Sequence, residues 1–223
     1  MTDYRRFLTQ FIKNQWGINM SYNLDHWDDF RKKIGGSEND VNDQLIGCII
    51  AFELIKLSKI DIKSFKGLKV LDYGCGTGRA SRIMSLLSGS VDGYDPNKYC
   101  IEEAIRKNAL ISTLKPKFST KFTEFSENSY DLIFSYAVIE HLTLVDQNDM
   151  MNNIMKVGKI GGSLILNYSP TRNHPVLTKY IASKEVDTLV EEDKKHELIG
   201  ISKGGMGLQF RLFKFSVDGL RLA

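Results

Sequence analysis

The stretch Lys69-Val-Leu-Asp-Tyr-Gly-Cys-Gly-Thr-Gly78 constrains this chain more than any other. A hydrophobic strand, Lys69 to Leu71, runs into Asp72. Glycines then occupy every second position, Gly74, Gly76 and Gly78, and a helical pattern begins at once with Ala80, Ile83, Met84 and Leu87 on one face. Glycine lets the backbone turn through conformations that a Cβ forbids and approach a ligand closely. The helix that follows presents unpaired N–H groups in its first turn. A strand, a tight glycine turn and a helix open an alternating α/β fold, and the turn is suited to a nucleotide-like ligand. Its spacing narrows the choice. A dinucleotide fingerprint reads G-x-G-x-x-G; here the third glycine comes one position early and Arg79 follows, so the run is G-x-G-x-G led by a hydrophobic pair and an acid. Alone, such a turn also suits any tight strand-to-helix connection, Asp72 suits a loop or capping acid, and Asp95 suits a plain Asp-Pro turn.

Other segments join it in order. Ser90–Tyr94 is a second hydrophobic segment ending in Asp95, 17 residues beyond Gly78, about where dinucleotide folds carry an acid on the ribose diol. An ionised carboxylate accepts two such hydroxyls readily. Pro96 suits the first turn of a helix. Ser129–Leu142 then runs from a strand into Glu140-His141, and Val157–Asn167 carries Gly161-Gly162 into another strand. These four segments, over roughly residues 68–170, resemble the motifs of the class I S-adenosylmethionine-dependent methyltransferases; Ile160 stands where that family usually has proline.

The resemblance implies an α/β fold: a Rossmann-like, doubly wound, mostly parallel seven-stranded sheet with a terminal antiparallel hairpin and an N-terminal helical lid. It implies S-adenosylmethionine as cofactor and S-adenosylhomocysteine as product. It also implies cofactor-binding roles for Asp72, Gly74, Cys75, Gly76, Gly78, Asp95, Pro96 and Ser135. Many family members carry an acid after the third strand for the adenine amino group. Phe118–Glu124 has none at the expected place, which leaves Ser119, Thr120 or a backbone carbonyl for that contact.

Periodicity supplies the elements around the motifs. Tyr4, Phe7, Leu8, Phe11, Ile12 and Trp16 form a helical stripe over residues 3–16, stopped by Gly17. A second helix starts at Asp40 and keeps Val41, Leu45, Ile49, Phe52 and Ile55 on one face. Residues 1–60 are therefore expected as a helical cap and 61–223 as the core. The helix over 3–16 serves equally as a lid, a dimer contact or a cover for a sheet edge, and Tyr22, His26 and Trp27 are cleft candidates. Helices are expected over 98–107, with Ile101, Ala104 and Ile105 inward, over 146–157, with Met150, Ile154 and Val157 inward, and from 176 to about 193. Strands are expected over 117–122, 131–138 and 163–168, with late strands 196–201 and 208–215 joined by Gly204–Gly207. Such alternation implies parallel pairing with right-handed crossovers. The chain ends soon afterwards, so no large C-terminal domain is expected.

Methyl transfer needs little beyond holding donor and acceptor in line. A hydroxyl acceptor also needs a base. His141, at the carboxyl edge after the fourth strand, is the first candidate, since imidazole titrates near neutrality; equally, Glu140-His141 organises the loop. His174, in the loop after the fifth strand, is the second, and Tyr22, Tyr136, Tyr168, Arg172 and His174 are candidate substrate contacts. Ser135–Val138 replaces the Asn/Asp-Pro-Pro-Tyr element of enzymes that methylate exocyclic amines. No acidic cluster of the catechol type is visible, so no metal is expected.

The resemblance thus points to a small-molecule acceptor, a hydroxyl of a sugar or glycan precursor or another metabolite. A protein or RNA acceptor and a non-catalytic cofactor-binding subunit are the alternatives. The formal net charge of +3 is too mild and too dispersed for nucleic acid. No apolar run reaches the length of a membrane span, and Met1–Arg6 lacks a signal-peptide core. Cys48, Cys75 and Cys100 show no paired spacing and suit a cytoplasmic protein; a homodimer is compatible with these features.

Overall fold

The computed structural model describes residues 47–48, 50–51, 54–55, 57–88, 90–109, 116–168, 175–181 and 209–223. The stripe at 3–16, most of the 1–60 cap, Tyr22, His26, Trp27, Arg172, His174 and the segment 196–201 lie outside them. Strand β1 (Lys69–Tyr73) leads into helix α1 (Arg79–Leu87), then β2 (Ser90–Tyr94), α2 (Lys98–Asn108) and the short β3 (Phe118–Ser119). β4 (Tyr130–Ser135) is followed by α3 (Leu144–Val157), β5 (Gly158–Tyr168), α4 (Pro175–Tyr180), β6 (Gln209–Ser216) and β7 (Gly219–Leu222).

These strands form one sheet in the order β3-β2-β1-β4-β5-β6-β7. The pairs from β3 to β5 are parallel, while β5–β6 and β6–β7 are antiparallel. The sequence reverses direction between β1 and β4, so the carboxyl ends of β1, β2 and β4 open around the switch point where open α/β sheets hold ligands.

Alternation along the strands sends side chains into two cores. On one face Leu71, Ile133, Leu164 and Leu166 pack with Met150, Met151 and Ile154 of α3 and with Leu177 of α4. On the other, Val70, Leu132, Phe134 and Ile165 meet Ala80 and Met84 of α1, Phe65, and Ile50 and Leu54 of the helical residues before β1. Both faces of the central strands are buried, which explains why they read as continuous apolar runs. Each such side chain contributes about 1.5–3 kcal/mol of burial.

Several expectations are corrected. Ile105 is exposed, 52%, because α2 turns Ile101 and Ala104 to the sheet and the next position falls off that face. Pro96 precedes the helix; Asn97 is its N-cap, with the amide oxygen accepting the Cys100 N–H at 3.0 Å. The third strand is two residues long, since Phe122–Glu124 already turns as a 3-10 helix. β5 begins earlier than expected. Pairing jumps from Tyr130↔Gly158 to Leu132↔Ser163, and Gly161 at φ 82° absorbs the bulge. The terminal hairpin is present, but β6 turns at Val217-Asp218 into β7.

Candidate functional site

The glycine run forms the turn between β1 and α1 with Gly74, Gly76 and Gly78 all at positive φ, 80°, 53° and 71°. The loop is clamped to the end of β2: the Gly74 and Cys75 N–H groups both donate to the Tyr94 carbonyl, at 2.7 and 2.9 Å. Neighbours also press on its glycines. A Cβ on Gly74 would lie 2.3 Å from a γ-methyl of Val138, and one on Gly78 would meet Ala104 and the Phe118 ring at 3.1 Å.

Asp95 is drawn into the same loop. One carboxylate oxygen accepts the Gly76 N–H at 2.9 Å and the other accepts the Asn97 N–H at 2.9 Å. The acid after β2 is thereby held beside the glycine turn; a carboxylate accepts about four bonds in all. The Asp95 N–H donates to the Ser119 carbonyl at 3.4 Å, and the Ser119 hydroxyl accepts the Lys121 N–H at 3.0 Å. Thr120, half-buried, follows directly.

Asp72 is buried, and its carboxylate accepts the Ser81 hydroxyl at 2.5 Å. Burial pushes its pKa up to about 7; the Ser81 bond opposes this and the Asp95 charge adds to it. Cys75 is also buried, and desolvation first, then Asp72 and Asp95, push its thiol well above the usual range. It is a neutral thiol that fills space under Gly93, whose Cβ would stand 3.0 Å from the sulfur.

The loop after β4 supplies the opposite wall. Ser135 ends the strand, and its buried hydroxyl has no hydrogen-bond partner within the described residues; the same holds for Thr77 in the glycine turn. Tyr136 is exposed. Ala137 takes a positive φ of 54°, and its N–H donates to the Asn167 side-chain oxygen at 3.1 Å across from β5. Val138 then seats on Gly74. The 3-10 turn Ile139–His141 follows, held by the Gln147 amide of α3, which donates to the Ile139 and Leu142 carbonyls at 3.1 Å each. His141 and Glu140 are mostly buried, with the imidazole Nε2 3.8 Å from the Glu140 carboxylate.

The fold thus brings Asp72, Gly74, Cys75, Gly76, Gly78, Asp95 and Ser135 to one edge of the sheet, with Tyr136 and His141 on the adjoining loop. Tyr168 closes β5 at the same edge. Sequence reading missed Ser81, Val138, Gln147 and Asn167. Only Asn167 carried a signal, a polar residue directly after the apolar run Leu164–Leu166. Among the described residues no group of three or more His, Cys, Asp and Glu could hold a metal ion.

A methyltransferase-domain family model matches residues 71–166. The chain is similar to phosphoethanolamine N-methyltransferase 1 of Triticum aestivum, 32% identical over 122 residues, 52% of this chain and 23% of that protein. It is also similar to the ubiquinone biosynthesis O-methyltransferase of Chelativorans sp. (strain BNC1), 34% identical over 87 residues, 38% of this chain and 34% of that one. The chain therefore spans only 23% and 34% of the length of these relatives. Among solved structures, magnesium protoporphyrin IX methyltransferase of Synechocystis PCC 6803, crystallised with bound SAH, aligns with a TM-score of 0.50 at 22% identity, over 82% of this chain and 78% of that one; this likeness is one of fold. By this match and by the order of the sheet that carries its glycine turn, the chain is similar to methyltransferase domains over residues 71–166.

Proposed function

We propose that this chain binds S-adenosylmethionine and transfers its methyl group to a small-molecule acceptor, a hydroxyl of a sugar or glycan precursor or another metabolite. The observation that carries the reading is the joined loop, in which the Gly76 N–H lies on the Asp95 carboxylate. A bare glycine turn and a ribose-type acid placed in hydrogen-bond contact form a cradle that a nucleoside fits. The buried, unsatisfied Ser135 and Thr77 hydroxyls beside it are polar groups that a ligand would complete.

In this reading Asp95 accepts the ribose hydroxyls, and the glycine turn passes under the nucleoside without a Cβ in the way. Ser119, Thr120 or a carbonyl beside them takes the adenine amino group. Asp72, bonded to Ser81, anchors the first turn of α1 under the loop. The cofactor, when bound, supplies an electrophilic methyl sulfonium and leaves as a thioether. The protein's part is to align the acceptor oxygen and remove its proton. His141 takes that proton, with Glu140 at 3.8 Å to balance the imidazolium. Tyr136 and Tyr168, and with them Tyr22 and His174, are assigned to the acceptor. The relatives named for O- and N-methyl transfer support a small acceptor over a macromolecular one. Cys75 and Cys100, both buried and neither in a disulfide, support a cytoplasmic setting.

Calorimetric titration with S-adenosylmethionine, S-adenosylhomocysteine and NAD tests the reading. Micromolar binding of the first two, lost in Asp95→Ala, is expected. A preference for NAD, or no binding of either adenosyl compound, refutes it.

A further inference from the structure

We propose that Asn167 is a positioning residue for the cofactor cradle: from the end of β5 it holds Ala137 in a left-handed backbone conformation and thereby seats Val138 against Gly74. The proposal rests on the cofactor reading above.

Three observations form a continuous path. Ala137 has φ 54°, a region that residues with a Cβ adopt only under constraint. The constraint is visible: the Ala137 N–H donates to Asn167 Oδ1 at 3.1 Å, a bond between strand ends 30 residues apart in sequence. The next residue, Val138, places a γ-methyl where a Cβ on Gly74 would stand, 2.3 Å away. The loop after β4 and the glycine turn after β1 therefore fit together only while Ala137 keeps its turn.

The condition of Asn167 itself points the same way. It is 1% exposed, and its side-chain Nδ2 has no hydrogen-bond partner within the described residues. Burying an amide donor unpaired is costly, and an apolar residue would avoid that cost at the end of a core strand. What such a residue lacks is the oxygen that Ala137 requires; that requirement also orients the amide. Asn167 lies one residue before the end of β5. Its effect on the cofactor passes through Ala137 and Val138.

The test is calorimetric titration of wild type, Asn167→Ala, Ala137→Gly and the double variant with S-adenosylhomocysteine at 25 °C, with a thermal melt of each to show that it is folded. Asn167→Ala is expected to weaken binding about tenfold or more, the scale of one lost buried hydrogen bond with its partner left unpaired. Glycine adopts positive φ without a Cβ penalty. Adding Ala137→Gly to Asn167→Ala is therefore expected to recover at least roughly threefold of that loss, a rescue that a purely structural Asn167 would not show. Binding by Asn167→Ala within twofold of wild type, or a double variant no better than Asn167→Ala, overturns the proposal. Absence of binding by wild type overturns the cofactor reading and this inference together, whereas a wild type that binds beside an unaffected Asn167→Ala overturns this inference alone.

Discussion

Replacing Gly74 by alanine perturbs the cradle at its tightest point, and the structure separates the cost into two parts. The first is conformational. Gly74 has φ 80°, where an alanine pays about 1–2 kcal/mol. The second is steric. The new Cβ would stand 2.3 Å from one γ-methyl of Val138 and 3.1 Å from the other, and overpacking of this kind costs about 1–3 kcal/mol. Gly74→Ala should therefore lose about 2–5 kcal/mol. At roughly 2–4 °C per kcal/mol for a chain of this size, the thermal midpoint should fall by several degrees or more. Val138→Ala removes both γ-methyls and with them the steric part only. The double variant should then be more stable than the sum of the single variants by about 1–3 kcal/mol. Urea denaturation of the four proteins measures this interaction energy directly. Additive single effects would show that Val138 does not press on Gly74 and would remove the contact on which the shape of the cradle depends. A Gly74→Ala protein as stable as wild type would refute both parts.

Asp72 should make stability fall as pH rises. Its folded pKa of about 7 stands above its ordinary value of 3.8. The native state therefore keeps a proton that the unfolded chain has released, and the stability present below pH 4 is lost between pH 4 and 7. That shift corresponds to at most about 4 kcal/mol. Asp72→Asn keeps an acceptor for Ser81 and should remove this slope, so an equal loss between pH 5 and pH 8 in both proteins, read by denaturant melts, would sink the assignment. His141→Ala should retain S-adenosylhomocysteine binding while methyl transfer to a hydroxyl acceptor drops roughly 10²–10⁴-fold. Undiminished incorporation of labelled methyl into small-molecule fractions would remove the base role.

The order of elements from β1 to β5, the parallel core and the glycine loop were legible in the chain because each rests on local physics. A continuous apolar strand, glycines where no Cβ fits and an acid after the second strand leave their mark in neighbouring residues. Even so, boundaries slipped where a long-range constraint overrode the local pattern. The third strand stops at Ser119 because Phe122–Glu124 turns. Ile105 faces outward because the register of α2 on the sheet is set at Ile101 and Ala104.

What tertiary structure alone decided is which distant groups meet. Nothing local to Asp95 says that its carboxylate will hold the Gly76 N–H, or that Gln147, in α3, will brace the turn carrying His141. Asp72 reads as a loop acid until the fold buries it against Ser81 and raises its pKa. The bond from Asn167 to Ala137 arises because parallel pairing sets the end of β5 beside the end of β4. Periodicity and turn chemistry act over a few residues and can be read along the chain, whereas hydrogen bonds between strand ends and the desolvation of a carboxylate depend on neighbours that only the packed sheet supplies.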